Sequence, residues 1–305
     1  LSIGIIVNPR KPEIKKQLQN LDSWIGENRA QAGFYLCGYD SKYLPEKLQN
    51  IEQKGEDWLY ANCSLLITLG GDGTILRTVA RLDSSETKIL GVNLGGLGFL
   101  ANTPPDRMLE HISEFLADNY EVDTRSMLRC KINGQESFSA FNDVIIDKAG
   151  FSRVIQIDTK VDGKHLNSYI ADGLVVSTPS GSTGYSLSAG GPIVVPHTNA
   201  IVINPICPHS LTNRPVVIPD NYDIKIRVFT EHESFNIMRD GMLRGAYPSG
   251  TRLVIRKSKR TVSFVKMKSQ NFFRTISRKL RWGEDFRDKK RWTYQKDDNT
   301  GTTGN

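Results

Sequence analysis

A lone carboxylate sits among glycines in Gly70-Gly71-Asp72-Gly73-Thr74. Beside phosphates a carboxylate is repelled unless it binds a metal or takes a proton from an attacking hydroxyl, and both are roles in phosphoryl transfer. The glycines let the backbone approach a ligand closely, and N–H groups at the start of a following helix suit a phosphate. The other reading of an isolated Gly-Asp-Gly is an Asp that caps a helix in a tight turn. A second run spans 171–192 and contains Asp172. Its loop, Thr178-Pro179-Ser180-Gly181-Ser182-Thr183-Gly184-Tyr185-Ser186-Leu187-Ser188, is dense in small and hydroxylic residues. Small residues permit close approach, hydroxyls and free amides bind ribose, phosphate or base edges, and Tyr185 can stack on a base. A flexible linker has a similar composition, but Pro179, Tyr185, Leu187 and the strong strand pattern before them argue against one. Asp172 is either a second placed carboxylate or a plain turn residue. Asn142-Asp143 pairs an amide with a carboxylate, able to hold a ribose diol, and is also a common turn pair. His209 near Cys207 lacks an evident orienting acid, which favours a structural or interface loop over a catalytic pair.

The hydrophobic pattern supplies the elements that must position these residues. Residues 65–69 are an apolar run bounded by glycine, the pattern of a buried strand. Ile75, Leu76, Val79, Ala80 and Leu82 follow with helical spacing. Asp72 therefore stands at the carboxyl end of a strand, where ligands bind in open α/β sheets. Strands are expected at 3–7, 34–37 and 88–93, and helices at 15–25 and 44–54, the latter with Pro45 near its start. This alternation predicts a doubly wound, Rossmann-like parallel sheet through about residue 100. Asn102-Thr103-Pro104-Pro105 is a plausible boundary, with a helix at 106–116 after it. Strand-like runs then recur at 127–132, 138–146, 154–161, 166–170, 174–177, 200–203, 224–229, 234–238, 251–256 and 262–267. Asn133-Gly134, Asp162-Gly163 and Asp240-Gly241 are hairpin dipeptides. The expected organisation is an α/β domain over 1–102 and a β-rich domain over 103–265. A C-terminal segment over 266–305, helical near 272–279 and disordered from 297, returns to the first domain.

The 305-residue chain carries a formal net charge of +7. No apolar run approaches the length of a membrane span, and residues 1–7 read as a first strand rather than a signal peptide. The scattered cysteines, Cys37, Cys63, Cys130 and Cys207, fit reduced, mostly buried thiols of a cytoplasmic protein better than disulfides or zinc. Much of the basic excess falls in 274–291, where a solvated helix face is favoured over a nucleic-acid patch. Neither a membrane nor a nucleic-acid partner is expected, and a mildly basic surface elsewhere suits an anionic substrate.

Taken together, Gly70-Gly71-Asp72-Gly73-Thr74, Gly95 to Leu100, Asn142-Asp143, Asp172 to Pro192, Pro208-His209-Ser210-Leu211 with Asn213-Arg214-Pro215, and Asp240-Gly241 resemble the NAD kinase family. That family phosphorylates the 2′-hydroxyl of the adenosine ribose of NAD to make NADP. The first motif alone is shared with lipid kinases and, in a close variant, with phosphofructokinases; the run over 178–192 singles out NAD kinases. The resemblance covers nearly the whole chain, up to Gly283. It implies an α/β N-terminal domain and a β-rich C-terminal domain with the nucleotide between them. It also implies a homo-oligomer, a tetramer or a dimer, in which a neighbouring subunit contributes to the site. ATP with a divalent metal, Mg²⁺, is the implied donor. By resemblance Asp72 is the general base or the group that orients the hydroxyl, Gly73 approaches the dinucleotide, and Arg77 and Arg153 match basic binding positions. Asn142 and Asp143 bind the adenosine ribose side and Asp172 meets the nicotinamide end. Thr183, Gly184, Tyr185 and Ser188 surround adenine, with Ser186 and Leu187 in the same cofactor-binding segment. The sequence departs from the family pattern at Asp143, where Glu is common, at Gly184, where Ala is usual, and at Met242, where Gln is common. A carboxylate is a weak base for a sugar hydroxyl, and the transition state of phosphoryl transfer is loose, so Asp72 is expected chiefly to position the hydroxyl. The alternative readings are a nucleotide-binding sensor on the same fold and a lipid kinase sharing the Asp72 turn.

Overall fold

The first apolar run becomes β1 (Ser2–Val7), whose alternation sends Ile3, Ile5 and Val7 to one face of a sheet and Ile6 to the other. The computed structural model describes residues 1–37, 44–45, 47–96, 98–150, 153–268 and 270–282. After β1 come α1 (Ile14–Asn28), β2 (Gly33–Cys37), β3 (Ile51–Lys54), α2 (Glu56–Asn62), β4 (Leu65–Gly70), α3 (Asp72–Arg81), β5 (Lys88–Asn93) and α4 (Met108–Leu116). The strands pair in parallel in the order β5-β4-β1-β2-β3. Helix α1 buries Leu18, Leu21 and Ile25 on one face of the sheet, where α4 adds Met108, Ile112 and Phe115. Helices α2 and α3 cover the opposite face with Leu59, Ile75 and Val79. Apolar strands covered by helices on both faces are the doubly wound arrangement that the alternation predicts. Strand order reverses between β1 and β4, so the crevice at their carboxyl ends is the topological switch point.

The helix expected over 44–54 is not formed. Residues 51–54 are instead the edge strand β3, parallel to β2 from Phe34–Ile51 to Cys37–Lys54. The cause is a side chain on α1: Asp22 accepts the backbone N–H of Gln49 at 3.0 Å and of Asn50 at 2.7 Å. Those amides are thereby taken from a helix ladder, and the chain is delivered extended into β3.

The remaining chain is mostly β: β6 (Glu121–Ile132), β7 (Glu136–Ala140), β8 (Asp143–Asp147), β9 (Ile155–Val161), β10 (Lys164–Ala171), β11 (Gly173–Ser177), the short α5 (Tyr185–Ser188), β12 (Ala200–Ile206), β13 (Val216–Pro219), β14 (Ile224–Phe229), β15 (Phe235–Arg239), β16 (Met242–Tyr247) and β17 (Arg252–Lys266). An antiparallel six-stranded sheet runs β13-β12-β11-β8-β15-β16. Strands β10, β9, β14 and β17 continue the parallel sheet into one eleven-stranded sheet, with β6 and β7 branching from β17. Tyr169, Phe235, Val144, Leu174 and Ile226 are among the buried residues of the apolar core packed from strands of both sheets. The hairpin dipeptides behave as their types require: both residues of Asn133-Gly134, Asp162-Gly163 and Asp240-Gly241 have φ between 48° and 77°.

Two strand expectations are corrected. Runs 251–256 and 262–267 belong to one strand, β17, whose pairing with β6 slips between Lys257 and Thr261. That strand then pairs in parallel with β5 through Ser263–Lys88 and Phe264–Ile89, so the large sheet runs across the boundary expected at 102–105. The run 138–146 breaks at Phe141-Asn142, its first part joining β6 as β7 and its second joining the other sheet as β8. Residues 1–270 form one compact unit. In the second unit, Asn271–Asn305, α6 (Phe272–Lys279) is capped by Asn271 Oδ1, which accepts the Phe273 N–H at 2.8 Å. The tail expected to be disordered, 297–305, lies outside the described residues.

His111 of α4 is buried, with Nδ1 3.0 Å from Thr103 Oγ1 and Nε2 without a hydrogen-bond partner. Burial, and then the charge of Arg107, hold its pKa below the ordinary histidine value. The unfolded chain titrates this histidine near pH ~6.5, so below that pH the unfolded state binds more protons and stability falls. Urea midpoints measured from about pH 8 to about pH 5.5 are expected to fall more steeply for the wild type than for His111→Leu. Parallel slopes would remove His111 as a source of acid sensitivity.

Candidate active site

β4 is buried along its length, and a Cβ on Gly70 would lie 2.2 Å from Thr74 Oγ1. The strand therefore turns directly into α3, with Asp72 its first residue and Gly73 exposed beside it. The Asp72 carboxylate reaches the loop after β5. Its Oδ2 accepts the Phe99 N–H at 2.9 Å, and its Oδ1 accepts those of Leu100 and Ala101 at 3.1 and 3.0 Å. A Cβ on Gly98 would lie 2.2 Å from that Oδ1, so glycine is required there. Charge-assisted bonds from these amides fix the direction of the carboxylate; this is a tertiary tether rather than only a local cap. Lys11, a short way beyond the end of β1, also stands here. Its ammonium is 2.9 Å from the place a Cβ on Gly95 would take. Its only sequence signal is its position shortly after β1.

The break between β7 and β8 makes a second corner. Asp240, in the hairpin between β15 and β16, accepts the N–H of Phe141 at 3.0 Å, of Asn142 at 2.6 Å and of Asp143 at 3.2 Å. In the sequence this aspartate stands in a hairpin dipeptide and in one of the family motifs, with no role of its own. Burial raises the Asp240 pKa while those three amides pull it down. Asp143, 2 % exposed, is pushed up to about 7 by burial and then by the charge of Asp240. Asn142 Oδ1 and Asp143 Oδ1 are buried without a hydrogen-bond partner. Such acceptors cost about 1–3 kcal/mol each when left unpaired, and a ligand that brings donors satisfies them. A cavity of about 550 Å³ opens beside them, lined by Leu76, Asn142, Asp143, Asp147, Tyr185 and Asp240 among others, with no basic side chain among the described lining residues. Such a surface suits hydroxyl and amine donors and repels phosphates.

The run 178–192 is ordered against this corner and is no linker. A Cβ on Gly181 would lie 2.1 Å from the Asn142 carbonyl oxygen. Thr178 Oγ1 donates to Phe141 O at 2.7 Å, Ser182 Oγ to Pro179 O at 2.6 Å and Thr183 Oγ1 to Ser180 O at 3.1 Å. These hydroxyl protons thus pair the loop's own backbone, as a largely buried loop requires. Tyr185 is half exposed and lines the cavity. Gly184 lies against the same corner, a Cβ there falling 3.6 Å from Asn142 Nδ2. Within α5, Ser186 is buried, Leu187 is partly buried and Ser188 is exposed.

Other expected residues stand apart from this lining. Arg77 is exposed on α3 one turn beyond Gly73. Arg153 pairs with Glu231 and, with Ile170, His209 and Phe229, lines a second cavity of about 640 Å³. Asp172 pairs with Lys148 at 2.7 Å. The Pro208–Pro215 loop is held by its own contacts, Arg214 donating to the carbonyls of Leu211 and Asn213, in keeping with a structural loop. Among the described residues no cluster of three or more His, Cys, Asp or Glu side chains is placed to hold a metal ion.

Asp143 carries a pH signature. Its raised pKa favours the fold while it is protonated; that contribution is complete below the unfolded value and is lost as the pH rises through about 7. Asp143→Asn is therefore expected to raise the unfolding midpoint relative to wild type at about pH 8, and the gain should shrink toward about pH 5. A gain independent of pH would contradict the buried-acid assignment.

Matches to known proteins agree with this geometry. Residues 3–120 match the family model of the ATP-NAD kinase N-terminal domain, and residues 141–267 that of the ATP-NAD kinase C-terminal domain. The chain is 35 % identical over 287 residues to the NAD kinase of Koribacter versatilis, covering 93 % of this chain and 99 % of that protein. It is 37 % identical over 289 residues to the NAD kinase of Chlorobium phaeovibrioides, covering 93 % and 100 %. Yeast NADH kinase, crystallised with NADH, superposes with a TM-score of 0.85 at 25 % identity, covering 95 % of this chain and 90 % of that one. An NAD kinase from Archaeoglobus fulgidus, in complex with ATP, shares the fold with a TM-score of 0.72 at 22 % identity, covering 92 % and 99 %. With both domain models matched in order around the Asp72 turn and the Asn142–Asp143 corner, the chain belongs to the NAD kinase family.

Proposed function

We propose that this chain transfers the γ-phosphoryl group of ATP to the 2′-hydroxyl of the adenosine ribose of NAD, giving NADP and ADP. The observation that carries the reading is Asp72, held in one direction at the switch point by the amides of Phe99, Leu100 and Ala101. The 2′-oxygen attacks the γ-phosphorus, the bond from that phosphorus to the β,γ-bridging oxygen breaks, and the hydroxyl proton passes to Asp72. Because the transition state is loose, the proton moves late and Asp72 acts chiefly by orienting the hydroxyl. The unpartnered acceptors on Asn142 and Asp143 receive donors of the adenosine moiety, and Tyr185 stacks on its base. The acidic cavity repels the triphosphate, which we assign to the Asp72 side near Lys11, and the exposed Gly73 lets the backbone approach the dinucleotide. The divalent ion, Mg²⁺, arrives on the ATP phosphates as part of the substrate.

Arg77 supplies positive charge near the dinucleotide phosphates. Thr183, Gly184 and Ser188 shape the adenine side, with Ser186 and Leu187 beneath it. Arg153 and Asp172 do not line the Asp143 cavity, and a homo-oligomer, a tetramer or a dimer, gives them a role by completing the site from a second copy. Burial raises the Cys63 thiol to about 11 and the Cys130 thiol to about 12, which makes both inert. All four cysteines are free thiols, in keeping with a reducing, cytoplasmic setting. No helix among the described residues is long and apolar enough to cross a membrane.

The test is NADP formation from NAD and Mg·ATP, with NAD binding measured in parallel. Asp72→Asn is expected to lose at least about 100-fold in turnover, the scale of removing a positioned acid–base group, while keeping NAD affinity within a few-fold. Undiminished turnover would refute the role of Asp72. Saturable dinucleotide binding without turnover in the wild type would replace the kinase by a nucleotide sensor.

A further inference from the structure

Two charged side chains lie where β6 should be apolar. Along that strand Asp123, Arg125 and Met127 share the inward face, and all three are buried, Asp123 at 6 % and Arg125 at 7 % exposure. Arg125 grips Asp123 with two nitrogens: Nε lies 2.5 Å from Oδ1, and Nη2 bonds Oδ2. The remaining nitrogen, Nη1, donates to Ser180 Oγ at 3.2 Å. Ser180 is itself buried and opens the Gly181–Thr183 turn. Its carbonyl accepts the Thr183 hydroxyl. His197 adds a contact from the next loop, its Nε2 3.5 Å from Asp123 Oδ1. A continuous line of directed bonds thus runs from β6, through Ser180, to the turn that precedes Tyr185 and leans on the Asn142 carbonyl.

Stability does not account for this arrangement. Desolvating two charges cancels most of their attraction, and a buried ion pair is commonly matched or bettered by apolar side chains of like volume. What an apolar pair cannot supply is a third, directed donor for Ser180. Only a guanidinium has the planar fork that holds a carboxylate with two nitrogens and keeps another for a hydroxyl.

We propose that Asp123 and Arg125 are positioning residues for the dinucleotide, acting through Ser180 to fix the turn that carries Thr183 and Tyr185 against Asn142. The proposal rests on the NAD kinase reading of the site. The pair touches no substrate. Its effect is on how well the pocket wall is preformed, so its loss appears in dinucleotide affinity rather than in the chemical step or in ATP binding.

The test uses the full-length protein and three variants: Asp123→Leu/Arg125→Met, Ser180→Ala and Arg125→Lys. For the double variant we expect a melting temperature at or above that of the wild type. We also expect a KM for NAD and a calorimetric Kd for NADP raised roughly tenfold, the equivalent of one directed hydrogen bond. The KM for ATP should not move and kcat should stay within about threefold. Ser180→Ala, which removes one hydroxyl, should raise the same two constants by about threefold. Arg125→Lys should fail to restore them, because a point charge lacks the fork. A purely structural pair predicts the reverse: a lowered melting temperature with an unchanged KM for NAD. Wild-type NAD and NADP constants in the double variant would overturn the proposal. If the double variant does not fold, wild-type constants in Ser180→Ala overturn it in the same way. Absence of NAD phosphorylation by the wild type in this assay would instead defeat the kinase reading on which the proposal stands.

Discussion

Backbone N–H groups at two corners of the chain must find acceptors, and in each case one aspartate takes three in a row. Asp72 takes those of residues 99–101, and Asp240 takes those of residues 141–143. Buried amides without acceptors are rarely tolerated, and a carboxylate is the strongest neutraliser the chain can offer them. The price is two acidic groups in the interior. The return is that two irregular loops, far from each other in sequence, hold fixed positions relative to the ends of sheet strands. The glycines follow from this. Gly98 lacks a side chain because the Asp72 carboxylate occupies its space, and Gly181 because the Asn142 carbonyl does.

The electrostatics of the cavity descend from the same constraint. Asp240 cannot be moved without releasing three amides, so Asp143 must sit in its field, buried, with its pKa pushed up to about 7. A protonated or shared carboxyl beside an unpartnered amide oxygen makes a recess suited to sugar hydroxyls and base amines. The two departures that the resemblance implies, at Asp143 and Gly184, meet here. Aspartate in place of glutamate draws the carboxyl back by one methylene, and glycine in place of alanine at 184 removes a methyl that would have stood 3.6 Å from Asn142 Nδ2 and 3.9 Å from Asp143 Oδ2. Both enlarge the recess at one point, so they are read together as a single adjustment of its shape.

Much of this was legible in the sequence because it rests on periodicity and on a few residues with unusual backbone needs. The β4–Asp72–α3 turn follows from an apolar run, glycines and a helical repeat. The three hairpins follow from Asn-Gly and Asp-Gly. What escaped depends on contacts between distant residues. Nothing local in 44–54 reveals that Asp22 will claim two of its amides. The run 138–146 carries only the weak turn signal of Asn142-Asp143, and it divides there because Phe141 and Asn142 answer to Asp240, about a hundred positions away. In the hydroxyl-rich loop, composition does not reveal that Thr178, Ser182 and Thr183 donate to carbonyl oxygens of the protein itself.

The long strand β17 explains how the two portions of the compact unit act on one site. It is antiparallel to β6 and β14 in the β-rich portion and parallel to β5 in the doubly wound portion. Where its pairing with β6 slips, between Lys257 and Thr261, the Arg260 side chain turns toward α3. Its guanidinium donates to the Val79 carbonyl of α3 at 3.1 Å and stands 3.7 Å from Asp83. Helix α3 is thus tied at both ends: at its first residue by the Asp72 carboxylate and the loop after β5, and in its last turn by an arginine from the β-rich portion. A cation at the carboxyl end of a helix also complements the helix dipole. A rigid α3 leaves Asp72 little freedom to tilt, and the same strand helps to build the frame that holds the Asn142–Asp143 corner. The register slip in β17 is therefore a working feature: a regular strand would keep its side chains on the two faces of the sheet and leave the end of α3 without its donor.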